Sequence, residues 1–109
     1  LNYLRSETMV YKRLRADYKR LYRVKWEYYT GKLDQEKLKE LGWEPFQLHI
    51  LKQDIDKYLD SDDDLITARS KMDYCEEKMK HLEEILKNIN NLQWNIKNAI
   101  EWKKFVSGQ

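Results

Sequence analysis

The chain is poor in everything that makes a polypeptide turn: it has one proline and three glycines in 109 residues. With so few breakers, its elements must be few and long. A single cysteine, Cys75, excludes an intramolecular disulfide, and no secreted-type cysteine framework is present. No apolar run approaches the ~20 residues needed to span a bilayer, and no signal peptide precedes the body. An intracellular, soluble protein is therefore expected. The two histidines, His49 and His81, are isolated, and neither has the i, i+4 partner of a zinc helix. A glycine-rich phosphate loop and a serine nucleophile elbow are both missing. The expectation is a protein that is not an enzyme, with no cofactor and no metal.

What is present is charge and aromatic surface. Hydrophobic residues make up 41% and charged residues 37%. That is too apolar for a disordered chain and too charged for a deep core, which leaves long helices with one apolar stripe and wide solvated faces. The length suits one domain, residues 1–109, and the fold class expected is all-α. Charge is unevenly placed. Residues 1–32 carry nine Lys/Arg against three acids, residues 33–86 eight against fifteen, and residues 87–109 four against one. A nucleic-acid footprint is a localised basic face, so the first segment is the place to seek one.

Residues 2–29 have the period of one helix, with a seam of Leu4, Tyr11, Leu14, Tyr18, Leu21 and Tyr28 interrupted by Glu7 and Lys25. The opposite face gathers Arg5, Lys12 and Lys19 at seven-residue spacing, with Arg13, Arg20 and Arg23 beside them. Gly31 should end this basic segment, 1–32. A connection over 33–60 follows. In it, Asp34 caps a short helix QEKLKEL that stops at Gly42, and Glu44-Pro45 starts another with Phe46, Leu48, Leu51, Ile55 and Leu59 on its apolar face. Ser61 and Asp64 read as a capping box for the third segment, 61–109. Its heptads run from Leu65 through Cys75 and Leu86 to Ile100, one helix of about 44 residues ending near Phe105. The cluster Asn88, Asn90, Asn91, Gln93 and Asn95 is its weak point, where a kink or break would fall.

Two long helices with matching seams predict an antiparallel hairpin joined by short helices. A hairpin of this size cannot bury four tryptophans, eight tyrosines and both seams, so a homo-oligomer is expected. Its contact is placed on the dense apolar surface of Trp94, Ile96, Ile100, Trp102 and Phe105. The triplet Asp62-Asp63-Asp64 reads as helix capping, not as a cation site. On the first helix, a face of six cations with only Glu27 beside them points to a polyanion. Trp26 lies on that side as a possible base stacker, with Tyr29 and Lys32 close by. A cationic face with rings and no helix-turn-helix suits single strands read without sequence specificity. The rival reading is a structural coiled-coil scaffold or adaptor that binds no nucleic acid; a helix lying on a membrane surface ranks last, and no membrane partner is expected.

The motif Arg23-Val24-Lys25-Trp26-Glu27-Tyr28-Tyr29-Thr30-Gly31 follows the long basic helix and precedes the acidic middle. The chain closes with Asn95-Ile96-Lys97-Asn98-Ala99-Ile100 and Phe105-Val106-Ser107-Gly108. In this order the segments resemble the UvsY-type recombination mediators of tailed (T-even-like) phages. The resemblance implies a non-enzymatic protein that binds single-stranded DNA and assembles into a closed ring of six or seven subunits. It further implies help in loading a RecA-like phage recombinase in place of the phage single-strand DNA-binding protein, in the cytoplasm of an infected bacterial host. It puts the DNA-contacting cations on Arg23 and Lys25 and oligomerisation on the C-terminal helix. Trp26 departs from the aliphatic residue usual there. Lys25 also falls on the seam, where a buried cation is costly, so either an opened seam or a solvated groove is expected around it.

Overall fold

The computed structural model describes residues 2–108, which form helices and connecting turns with no strand among them. Helix α1 spans Asn2–Tyr29, as its seam predicts. It ends where Gly31 takes a left-handed backbone (φ 74°), so that the Lys32 N–H reaches the Glu27 carbonyl at 2.8 Å and the Gly31 N–H reaches that of Tyr28 at 3.2 Å. Helix α2, Gln35–Leu41, is capped as expected. The Asp34 carboxylate accepts from the Lys37 N–H at 2.7 Å, and Gly42 (φ 72°) closes the other end.

The expected helix at Glu44-Pro45 does not form. The chain has no regular structure from Trp43 to Leu51, and only a 3-10 turn at Lys52–Asp54 leads into the short helix α3, Ile55–Asp60. The Tyr28 hydroxyl donates to the Glu44 carbonyl at 2.7 Å, which ties down the chain there. Phe46 is then drawn among Tyr28, Tyr29 and Tyr58, with ring centroids 5.1 to 5.8 Å apart. These ring contacts hold Phe46 in place of the helix that Pro45 could have started. Ile55 and Leu59 are buried as the pattern predicts, but Leu48 and Leu51 are exposed.

The capping box also shifts. Ser61 closes α3, its hydroxyl donating to the Lys57 carbonyl at 2.8 Å. The cap of the next helix is Asp62, whose carboxylate accepts from the Leu65 N–H at 3.0 Å. From there α4 runs unbroken over Asp63–Val106. The asparagine cluster does not interrupt it. Those residues are exposed, and an asparagine costs at most about 0.7 kcal/mol against alanine in a helix, too little to break a hydrogen-bonded ladder.

Helix α1 packs antiparallel along the first half of α4. The core at their junction is Ile55, Leu59 and Leu65, with Tyr18, Leu21, Trp26, Tyr29 and Ile50 packed around it. At ~1.5 Å per residue α1 is about 42 Å long and α4 about 66 Å, so α4 outruns its partner. The molecule measures 84 × 27 × 15 Å, with a radius of gyration of 24.7 Å where a globule of this length would have about 13 Å. Past the end of α1, the tail residues Trp94, Ile96, Ile100, Trp102 and Phe105 are each more than half exposed.

A helix without tertiary cover has only its own hydrogen bonds to resist opening. In hydrogen exchange on dilute, monomeric protein, the amides of residues 87–106 should exchange orders of magnitude faster than those around Leu65 and Cys75. Uniform protection along α4 would contradict this packing.

Candidate nucleic-acid interface

The seam lysine lies at the heart of the junction. Lys25 Nζ lies 2.8 Å from Asp64 Oδ2, 3.1 Å from Asp62 Oδ2 and 4.2 Å from the centroid of the Trp43 ring. The Tyr29 hydroxyl donates to Asp62 Oδ2 at 2.5 Å. Asp62 thereby caps α4 with one oxygen and holds Lys25 and Tyr29 with the other. The Lys25 side chain is 9% exposed and that of Asp62 4%. Burial works against the Lys25 ammonium, but its hydrogen bonds with Asp64 and Asp62 outweigh it and its pKa is raised. Burial likewise opposes the Asp62 carboxylate, and the bonds from Tyr29, Leu65 and Lys25 overcome it and lower its pKa. Burial first, and then the bond to Asp62, push the Tyr29 phenol up.

Lys25, assigned from the motif as a phosphate contact, is held here between two carboxylates and an indole. Neither an opened seam nor a solvated groove was needed, because the first turn of α4 brings the countercharge. Glu7, the other polar interruption of the seam, is matched in the same way: Lys78 Nζ lies 3.0 Å from its carboxylate, and the Cys75 thiol donates to its main-chain carbonyl at 3.4 Å.

The other cations of α1 are where the helical period puts them. Arg5, Lys12, Arg13, Lys19, Arg20 and Arg23 are all exposed, along a row about 27 Å long. Arg15, which the seven-residue spacing passes over, is exposed too. The row is less pure in sign than its spacing suggests. Arg20 pairs with Asp17 at 3.2 Å and Arg23 with Glu27 at 3.2 Å. Such exposed pairs are worth about 0.3–0.5 kcal/mol and exchange readily for phosphate. Arg5, Lys12, Arg13 and Lys19 make no ion pair among the described residues.

The rings of the motif divide. Tyr28 turns inward against Trp43 and Phe46. Trp26 and Tyr29 pack one side on the core and line, with the other, a groove of about 430 Å³. Its far wall is the irregular stretch Phe46–Ile50, with Lys52 beyond it. Lys32 stands at the rim, its ammonium 4.6 Å from the Trp26 ring centroid. Trp26, expected to be an exposed stacker, is thus half-buried. The sequence reading missed Phe46, Gln47, His49 and Lys52 as neighbours of the motif. No local signal placed them there, because Pro45 is compatible with a helix start and the contacts of Phe46 with Tyr28 and Tyr29 are long-range. The tail residues Trp94 to Phe105 are not brought to this site; Trp102 and Phe105 stack on each other with centroids 5.8 Å apart. Among the described residues, no group of three or more His, Cys, Asp or Glu is arranged to hold a metal ion, and no helix is long and apolar enough to cross a membrane.

A family model described as "Recombination, repair and ssDNA binding protein UvsY" matches residues 1–109, the whole length of the chain. No curated protein and no solved structure matches it.

Lys25→Ala leaves the buried Asp62 without its countercharge and should cost about 3 kcal/mol in urea denaturation, whereas Arg23→Ala should stay within about 0.5 kcal/mol. The pH dependence follows from the same pair. The lowered Asp62 carboxyl contributes stability above its ordinary 3.8 that is lost as pH falls through its folded value. The raised Lys25 contributes below its ordinary 10.5, and that part is lost as pH rises through its folded value. Asp62→Asn should therefore lower the stability plateau between these limits and flatten its acid edge. An unchanged acid edge would contradict the assignment.

Proposed function

Because this chain belongs to the UvsY family, described as recombination, repair and single-stranded DNA binding proteins, we propose that it is a non-catalytic recombination mediator. It binds single-stranded DNA without sequence specificity and promotes loading of a RecA-like recombinase in place of the phage single-strand DNA-binding protein. It works in the cytoplasm of the infected host. The observation that carries this reading is the exposed row of α1, in which Arg5, Lys12, Arg13 and Lys19 lack acidic partners among the described residues and Arg20 and Arg23 have only weak ones.

Such a row recognises the backbone charge that every strand shares. Phosphate contacts set register and affinity, but they carry no sequence information. One row binds weakly. Six or seven copies on a ring bind tightly, since each later contact along one strand is intramolecular. The surface available to build that ring is the uncovered C-terminal half of α4, where Trp94, Ile96, Ile100, Trp102 and Phe105 face solvent. A strand bent along such a ring is held in a shape that weakens a competing protein's grip and leaves bases accessible to a recombinase. Lys25 takes part indirectly, by holding the end of α1 on which Arg23 is displayed.

The reading is tested by fluorescence anisotropy of labelled oligo-dT and of a matching duplex across a salt series. Each neutralised phosphate contributes about 0.7 to the log-log salt slope on single strands, so an oligo-dT short enough to meet one row, with four to six contacts, gives a slope of about −3 to −4. Arg13→Ala with Lys19→Ala should flatten that slope by about 1.4 without changing the sedimentation of the protein. Absence of binding even at low salt would leave a structural coiled-coil oligomer as the better reading.

A further inference from the structure

A row of cations does not by itself tell a single strand from a duplex, because both present phosphates. We infer that the groove beside the end of α1 is the element that makes the distinction, by receiving one unstacked base of the strand together with its phosphate. This inference rests on the single-strand binding proposed above and names a second site for it, apart from the α1 row.

Four observations converge on that occupant. At about 430 Å³ the groove falls within the ~300–1,000 Å³ of sites that hold small organic ligands. Its lining includes three rings, Trp26, Tyr29 and Phe46, the last two in edge contact with each other, and base–ring stacking is indifferent to base identity. No Asp or Glu lines it, although the chain holds 19 acids, while Lys32, Lys52 and His49 do. Neither lysine forms an ion pair among the described residues. Finally, the main chain from Gln47 to Ile50, a stretch that lines the groove, makes no main-chain hydrogen bond among the described residues.

The pieces fit one ligand geometry. The Lys32 ammonium lies over the Trp26 ring, 4.6 Å from its centroid, on an exposed side chain. Lys32 swings to the phosphate, the ring is uncovered, and the base takes its place. Lys52 faces the neighbouring phosphate. Paired bases cannot enter without leaving their stack, so a duplex meets only the α1 row.

The test uses the full chain and a single-stranded oligo-dT carrying 5-iodouracil. Irradiation followed by peptide mapping should place the cross-link on Trp26, Tyr29 or Phe46. A same-length abasic strand, with every phosphate kept, should bind about tenfold more weakly than oligo-dT, and a duplex should lose a similar factor. Lys32→Ala with Lys52→Ala, both exposed, should weaken oligo-dT and leave the duplex unchanged. If oligo-dT binds, yet cross-links only on the α1 row or the α4 tail and no better than the abasic strand, the groove assignment is overturned and the proposed function survives. If oligo-dT does not bind at all, both fall together.

Discussion

A lysine ammonium buried on a helix seam must have its charge balanced by whatever packs against that seam, and in this chain the balancing groups are the aspartates that start the next long helix. Lys25 lies between Asp62 and Asp64, and Asp62 at the same time caps α4 and accepts from Tyr29. One carboxylate therefore joins three jobs: starting α4, closing the top of the hairpin and holding the Tyr-Tyr-Thr-Gly end of α1. The core nearby is thin, three buried aliphatic side chains ringed by half-buried aromatic and aliphatic ones. In so small a core a pair whose loss costs about 3 kcal/mol is a large part of a total that for domains is typically ~5–15.

The second polar interruption of the seam obeys the same logic. Glu7 meets Lys78 near the other end of α1. The interruptions have opposite signs, and each meets its opposite on α4. Sliding α1 by one turn would separate both pairs and take the buried Lys25 away from Asp62 and Asp64, so the pairs help to specify the register of the hairpin. With register fixed, the length mismatch of α1 and α4 is fixed as well. The apolar half of α4 is left beyond any intramolecular partner, and the cations of α1 face outward because its inner stripe is spent on α4.

The two long helices were legible in the sequence because their period extends over many turns. Residues 2–29 and the 44-residue helix from Asp63 appear with nearly the expected bounds. The connection was not. Phe46, Leu48, Leu51, Ile55 and Leu59 have helical spacing, but the spacing cannot report that Tyr28 would fix the Glu44 carbonyl and that rings would claim Phe46. The exposed row was readable from the heptad. The place of Lys25 was readable only in part: the heptad put it on the seam, correctly, while the motif argued for a phosphate contact. What resolved the conflict was Asp62, a residue distant in sequence whose capping role was itself placed one position too early, on Ser61. Long-range charge pairing leaves no periodic trace, and the groove built from two such distant segments leaves none either.

The central claim is a division of labour among cations: Lys25 holds the fold, and the exposed cations hold the strand. Quantitative lysine labelling of the native protein, with and without oligo-dT, tests it in one experiment. The account predicts that Lys25 is unreactive in both states, while Lys12, Lys19, Lys32 and Lys52 react in the free protein and are shielded by the strand. A Lys25 that labels as readily as Lys12, and is then protected by DNA, would contradict it.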